Sequence, residues 1–373
     1  MDRKMRVVHL TSVHQPFDVR IFVKECSALA KTGHDVYLIA PIEASTTRNN
    51  VNIVAVDIPG NRFQRMCLTT FAIFRKALEL NGDLYHFHDP ELIPVGILLS
   101  LLGKKVVYDV HEETANTILD KTWIWPPLRK LTAKLVDAFE NFSTRYFDAI
   151  IITRNSLFKK FDRNKTILVH NFPILSELFT GSSLPIHQRP LIGAYVGGAS
   201  PNRGIKELVE ALGLLPDDFK FELSIAGIIS PPEFCNQLKT LPGWKRVNYL
   251  GWQSRSQVAD LLSSARFGIV TFLPIANHLK SEPTKLFEYM SAGIPVIASN
   301  FPHWESFVLE EGIGVLVDPK DPQAVADAIV GVINDAKNCE IMGQKGREVV
   351  LNQYNWEIEE AKLINLYADL LKS

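Results

Sequence analysis

The chain has 373 residues, 46% of them hydrophobic and 22% charged, with a formal net charge of −1 at pH 7. That length is too great for one core and predicts two domains of ordinary size, while the near-zero charge lacks the basic surplus of a nucleic-acid binder. Cys26, Cys67, Cys235 and Cys339 are scattered, with no CxxC and no histidine at ligand spacing, so they read as reduced thiols and indicate neither a disulfide framework nor a zinc motif.

The first residues, "MDRKMRVVHLTSV", pass from charges straight into a strand-like run with no h-region or cleavage site, which predicts a cytoplasmic protein. Strands then follow at "RVVHLTS", "DVYLIAP", "NIVAVDI", "LYHFHD", "KVVYDVH" and "AIIITR". An amphipathic helix, "VRIFVKECSALAKTG", lies between the first two and ends at Gly33. The longest apolar run, Leu92 to Gly103, is too short to span a bilayer and reads as a buried helix. The second half repeats the alternation, with strands "LIGAYVGG", "KFELSIAG", "VNYLGW", "FGIVTF", "PVIAS" and "GVLVD" and helices such as "IKELVEALGLL". Strand–helix alternation predicts parallel sheets covered by helices on both faces.

The break falls in "HNFPILSELFTGSSLPIHQRP", which holds three prolines and a Gly-Ser-Ser without helix or strand period. The expected organisation is an N-terminal Rossmann-like domain over 1–172, a linker over 173–190, a C-terminal Rossmann-like domain over 191–355, and a tail helix over 356–373 that crosses back to the first domain. The fold class is thus α/β, with two doubly wound domains expected to face a cleft.

Three segments carry chemistry. In "SEPTKLFEYMSAGIPVIAS", Pro283 opens a helix, Gly293 stops it, and Lys285 and Glu288 share a face three residues apart. A helix start attracts phosphate, and a carboxylate one turn in can reach an adjoining sugar hydroxyl. In "YVGGASPNRGIKELVEAL", Gly197 and Gly198 end a strand and let a ligand approach the backbone, while Arg203 and Gly204 open the next helix. In "YHFHDPELIP", His86, His88, Asp89 and Glu91 stand at a strand end, His86 and His88 alternate onto one strand face, and His86 reads as core. His111 and Glu112 in "YDVHEET", and His14, Asp18 and Arg20 in "HQPFDVRIF", stand in comparable strand-end loops, where ordinary solvated charges are equally expected.

Taken in order, these motifs resemble a GT-B glycosyltransferase of the large retaining family 4, bacterial polysaccharide-assembly branch, from about Arg6 to Leu371. The resemblance implies transfer of a hexose from a nucleotide sugar, a UDP-sugar being the expected donor, to a saccharide or lipid-linked saccharide, with retention of configuration. It implies that Glu288 binds the donor ribose, that Arg203 and Lys285 offset the diphosphate, that Gly197, Gly198 and Gly204 shape its cradle, and that His88 faces the donor sugar, to orient the attacking hydroxyl or stabilise transition-state charge, with Asp89 fixing its tautomer. Catalytic roles are therefore expected of His88, Asp89, Arg203 and Lys285. No Asp-x-Asp follows a strand, and the resemblance implies transfer without a bound divalent ion. The family's first glutamate is here Lys280, with Glu282 out of register, and a second phosphate arginine is here Gly198. Those departures keep two alternatives open: a GT-B nucleotide-sugar 2-epimerase, and a non-catalytic nucleotide-binding scaffold. Finally, "ILDKTWIWPPLRKLTAKLVDAF" sets Trp123, Ile124 and Trp125 beside a Pro-Pro turn, followed by Arg129, Lys130 and Lys134. Indoles next to cations suit an anionic membrane surface, so a peripheral location at the inner face of the cytoplasmic membrane is the expectation.

Overall fold

Strands flanked by helices on both faces can be apolar on both faces, and the valine- and isoleucine-rich runs of this chain form such strands. The computed structural model describes residues 4–119, 124–178 and 184–372. It divides into two units, Met1–Asn171 with Glu359–Ser373, and Phe172–Ile358.

The first unit is built on β1 (Arg6–Leu10), β2 (Asp35–Pro41), β3 (Thr46–Arg48), β4 (Val51–Val56), β5 (Leu84–Phe87), β6 (Lys105–Val110), β7 (Ala149–Ile152) and β8 (Thr166–Leu168), in the order β3-β4-β2-β1-β5-β6-β7-β8. All pairs are parallel except β3 with β4. The strand order reverses between β1 and β5. In doubly wound sheets a ligand crevice opens at that switch point, beyond the carboxyl ends of the strands. His9 of β1 and His86 of β5 are direct register partners, and so are Phe87 and Tyr108, whose rings stack 4.5 Å apart.

The second unit holds β9 (Ile192–Val196), β10 (Glu222–Ala226), β11 (Val247–Gly251), β12 (Phe267–Val270), β13 (Val296–Ser299) and β14 (Gly314–Val317) in the order β11-β10-β9-β12-β13-β14, all parallel. Counted from β9 this is the 3-2-1-4-5-6 order of a dinucleotide-binding sheet, with its switch point between β9 and β12.

Three expectations change. The stretch 173–190 is not a free linker: Leu175–Leu178 is helical, Ile186 sits in the second unit's core, and Arg189 donates to the carbonyls of Leu184 and Ala265 at 3.1 and 3.0 Å. Its prolines interrupt periodicity without preventing packing. The run after Leu92 forms a helix, Ile93–Leu101, but Leu98, Leu101 and Leu102 are exposed, so only one face is buried. The strands β3 and β8 are three residues each, too short to leave a period in the sequence. The tail helix spans Trp356–Lys372, with Leu363 and Tyr367 buried. Among the described residues, no helix is long and apolar enough to cross a membrane.

Candidate functional site

At the switch point of the second unit, β9 ends at Val196 and the chain turns through Gly197 at a φ of 99°. A Cβ on Gly197 would stand 3.6 Å from Lys285 Nζ, and one on Gly198 would meet nothing within 4 Å, so the backbone here is open to a ligand. Gly204 has a different reason to be glycine. Its φ is 70°, and a Cβ would lie 1.8 Å from the carbonyl oxygen of Thr271, so close packing of the βα turn on the end of β12 demands it.

Lys285 and Glu288 lie on the helix Thr284–Ser291, with Pro283 at its N-cap, and this helix is buried nearly all round. The Lys285 ammonium is 3.8 Å from the centre of the Tyr195 ring and 5.2 Å from that of Phe272. The Arg203 guanidinium covers Phe272 at 4.3 Å, so two cations flank one ring at the strand ends. Lys285 is 7% exposed and its Nζ has no hydrogen-bond partner among the described residues. Burial, then Arg203, push its pKa well below the usual lysine range, against a weaker opposite pull from Glu288. Ring attraction is worth about 0.5–2 kcal/mol. An unpaired buried ion costs several kcal/mol, so the rings alone do not account for a lysine here.

Glu288 makes no ion pair with Lys285 among the described residues; its Oε1 accepts from Arg255 Nη1 at 2.8 Å, while Arg255 Nε donates to Glu177 at 3.0 Å. Arg255 and Phe272 escaped sequence reasoning because they come from another helix and the end of another strand; Tyr195 stands in β9 within the glycine motif, but nothing local marks it as the ring beneath Lys285. Lys280 is exposed at the end of the helix Ala276–Leu279, and Glu282 instead pairs with His303 at 3.4 Å.

At the switch point of the first unit the predicted roles shift. Asp89 does not touch His88. It accepts from Thr11 Oγ1 at 2.8 Å and from the amides of Ser12 and Val13 at 2.7 and 3.1 Å, and it pairs with His14 Nδ1 at 2.9 Å. Burial raises its pKa, but the His14 contact and these donors outweigh it and hold the carboxylate well below its usual range. Asp89 therefore shapes the loop after β1. The partner of His88 is Asp109, whose Oδ2 lies 3.1 Å from His88 Nδ1, while His88 Nε2 shares a hydrogen bond with His9 Nδ1 at 3.0 Å. Both ring nitrogens of His88 are thus engaged inside the protein, the side chain is buried, and burial lowers its pKa to about 4. The expectation that His88 presents itself to substrate does not hold in this arrangement.

Asp109 is the hub. It accepts from Arg20 Nε and Nη2 at 2.8 Å each and from His111 Nε2 at 2.7 Å. Arg20, expected in an open loop, is buried against it, and Asp18 caps the helix start by accepting from the amides of Arg20 and Ile21. The imidazoles that keep an accessible edge are His14 and His111, with side chains 27% and 21% exposed and ring centres 4.9 Å apart. Glu112 is taken up by the Thr117 hydroxyl at 3.0 Å. His86, expected as core, is buried and bonded to the Tyr367 hydroxyl at 2.7 Å.

Comparison with known proteins agrees with this architecture. The sucrose-phosphate synthase of Thermosynechococcus elongatus superposes with a TM-score of 0.79 at 19% identity, over 99% of this chain and all of that one. The fold is GT-B. Residues 19–171 match the model for Glycosyltransferase Family 4, and residues 182–349 match that for glycosyl transferases group 1. The chain belongs to this glycosyltransferase family. The D-inositol 3-phosphate glycosyltransferase of Corynebacterium glutamicum (strain R) is 27% identical over 196 residues, 50% of this chain and 45% of that one. A UDP-Gal:alpha-D-GlcNAc-diphosphoundecaprenol alpha-1,3-galactosyltransferase of Escherichia coli is 24% identical over 193 residues, again 50% of this chain and 48% of the relative. The chain thus spans about half the length of these curated relatives.

Proposed function

We propose that the protein transfers a hexose from a nucleoside diphosphate sugar, a UDP-sugar in the first instance, to a hydroxyl of a saccharide carried on a lipid, with retention at the anomeric carbon, in assembly of a bacterial surface polysaccharide. The observation that carries this reading is the Lys285 ammonium, buried, without a hydrogen-bond partner among the described residues and set against the open Gly197–Gly198 backbone at the β9/β12 switch point. A diphosphate there would meet Lys285 and Arg203, and its growing negative charge in the transition state is what such preorganised cations stabilise. Glu288 would take the ribose hydroxyls while Arg255 holds it in place. The sugar C1–phosphate oxygen bond breaks as the acceptor oxygen bonds to C1, and the acceptor proton passes to the leaving phosphate oxygen. No carboxylate nucleophile is required. His111, aimed by Asp109, is an accessible imidazole that can hydrogen-bond the sugar or acceptor.

The lipid-linked acceptor has its own support. The helix Pro126–Ser143 exposes Leu128, Leu131, Leu135, Phe139 and Phe142, a single stripe at helical spacing, with Trp125 exposed just before it. Lys130 and Lys134 are exposed on the same helix, and the charge suits an anionic bilayer. Trp123 lies outside the described residues. Arg129 is half-buried and donates to the Ile124 carbonyl at 2.8 Å, so the cationic part of the patch rests on the two lysines. The relative from Escherichia coli carries both a UDP-sugar and a diphosphoundecaprenol acceptor in its name.

The test is product analysis with UDP-sugars and polyprenol-diphosphate saccharides. Transfer releases UDP and extends the lipid; a 2-epimerase yields a new sugar nucleotide instead, and a scaffold yields neither. Sedimentation with anionic vesicles, for wild type and for Leu131→Ser with Lys130→Glu and Lys134→Glu, tests the surface separately.

A further inference from the structure

Three imidazoles and a carboxylate meet inside the first unit. His9 comes from β1, His86 from β5 and His88 from just past its end, and Glu25 from the π-helical turn Val19–Cys26 that follows the first loop. One nitrogen or oxygen of each lies within 4.8 Å of all the others, and all four residues are buried. The sheet brings this about. His9 and His86 are register partners on neighbouring strands, and His88, two residues on, returns to the same face. Glu25 and Arg20, five residues apart, both reach inward from one π-helical turn.

This cluster is short of partners in a way that a satisfied polar core is not. His9 Nε2, His86 Nε2 and both Glu25 carboxylate oxygens have none among the described residues. Arg20 Nε lies 3.1 Å from Glu25 Oε1, yet its N–H is directed to Asp109 Oδ2 at 2.8 Å, so one guanidinium faces two carboxylates and serves one of them. Buried polar atoms are nearly always paired, and an orphaned His86 nitrogen beside two orphaned Glu25 oxygens calls for a missing partner.

We propose that these residues form a closed structural site for a divalent transition cation, zinc fitting best, with His9, His86, His88 and Glu25 as its four ligands. Three imidazoles and one carboxylate suit zinc, and four protein ligands with no open position mark a structural rather than a catalytic ion. His9 Nδ1 and His88 Nε2 are 3.0 Å apart; two nitrogens bonded to one tetrahedral zinc at ~2.0–2.1 Å are themselves about 3.3 Å apart. Two of the three imidazoles have outer partners in place; His9, ligating through Nδ1, keeps an Nε2 without one among the described residues. His86 Nδ1 is held by the Tyr367 hydroxyl at 2.7 Å and His88 Nδ1 by Asp109 at 3.1 Å, which fixes ring orientation and leaves Nε2 of each ring as the ligand atom. Burial also keeps all three rings in the neutral, ligating form. A competing set, His88 with Asp109 and His111, shares one ligand, but both Asp109 oxygens already accept hydrogen bonds, from Arg20, His88 and His111, whereas both Glu25 oxygens have none among the described residues. The ion joins β1, β5 and the first helix, and through Tyr367 secures the tail helix. It takes no part in donor chemistry.

The test uses the whole chain, without a polyhistidine tag, expressed with added zinc and freed of loose metal by gel filtration. Elemental analysis should find about one zinc per chain. Chelation during reversible unfolding should remove it, and return of zinc at about a hundredfold excess over Kd should raise the unfolding midpoint by roughly 5–10 °C. Refolding with cobalt(II) should give the visible bands of a tetrahedral ion. Glu25→Gln and His86→Gln should lose the metal while His111→Ala keeps it. If those two variants fail to fold, the cobalt spectrum of wild type decides. Less than about a tenth of an equivalent of metal in wild type with no cobalt bands, or metal lost in His111→Ala and kept in Glu25→Gln, overturns the proposal.

Discussion

Replacing Lys285 with methionine should move stability and nucleotide affinity in opposite directions. The side chain is 7% exposed and its ammonium has no hydrogen-bond partner among the described residues, with only the Tyr195 and Phe272 rings beside it. Leaving such a donor unsatisfied costs about 1–3 kcal/mol, and more while it carries charge, and ring attraction returns about 0.5–2. Methionine has nearly the same length and keeps the packing, so the free variant should be as stable as wild type or more stable by about 1 kcal/mol. UDP affinity should fall, since a hydrogen bond to a charged group is worth about 1.5–3 kcal/mol, roughly 10- to 150-fold in Kd. The pH dependence supplies a second reading. Lys285 has its folded pKa pushed below the ordinary 10.5, so between those two values the unfolded chain binds a proton that the folded chain does not. Stability of the free wild type therefore rises with pH across that window, and the methionine variant lacks this contribution. Diphosphate binding raises that pKa again, so within the same pH window UDP should be bound with proton uptake, seen as a calorimetric enthalpy that varies with the buffer's ionisation heat. Denaturant melts and titration calorimetry with UDP are the two assays. A variant that is destabilised by more than 1 kcal/mol and binds UDP as wild type does would refute the reasoning, because Lys285 would then be a packing residue.

Glu288→Gln should weaken UDP by about 1.5–3 kcal/mol without changing affinity for inorganic pyrophosphate; equal weakening of both would place the glutamate at the phosphates. Arg203→Ala should cut kcat/KM for the sugar nucleotide on the order of 10²-fold, and a loss below tenfold at saturating donor would count against a transition-state role. His111→Ala should lower kcat by roughly 10²-fold with UDP affinity intact, whereas His88→Ala should chiefly destabilise the fold, with unchanged stability in that second variant as the contrary result. The His14–Asp89 pair gives a pH signature: Asp89 outweighs burial and raises the His14 pKa above 6.5, so its contribution is complete below pH 6.5 and fades as the pH rises through the raised value. The stability gap between wild type and His14→Gln should shrink toward alkaline pH, and a gap that stays constant would contradict it.

The sheets and the grouping of Gly197, Arg203 and Lys285 at the β9/β12 switch point were legible because they are written in local order. Twelve apolar runs became strands, and two glycines at a strand end, a basic residue before a helix and a Lys-x-x-Glu helix each occupy one contiguous stretch. Even so, the reason for Gly204 was not in its motif. It lies in the carbonyl of Thr271, a residue from the next strand over at the switch point. The linker was misjudged for a related reason: proline and glycine mark the loss of periodicity, but Ile186 and Arg189 are buried by neighbours far along the chain, which periodicity does not record.

The other site resisted reading because a parallel sheet makes neighbours of residues that the chain keeps apart. His88 and Asp89 are adjacent in sequence, and the obvious inference pairs them. In a strand, however, successive side chains point to opposite faces, and the two side by side in the chain have different surroundings: Asp89 closes the loop after β1, while His88 finds Asp109 on β6 and His9 on β1. Period two therefore predicts that 86 and 88 share a face and that 88 and 89 do not. The same rule, carried across the register pairs of β1, β5 and β6, would have gathered His9, His86 and His88 before any distance was measured. The strand order between β1, β5 and β6 was the missing quantity. Once that order is known, the histidine expected at the substrate becomes part of a buried framework, and the ring edges that stay accessible beside it belong to His14 and His111, the latter oriented by Asp109.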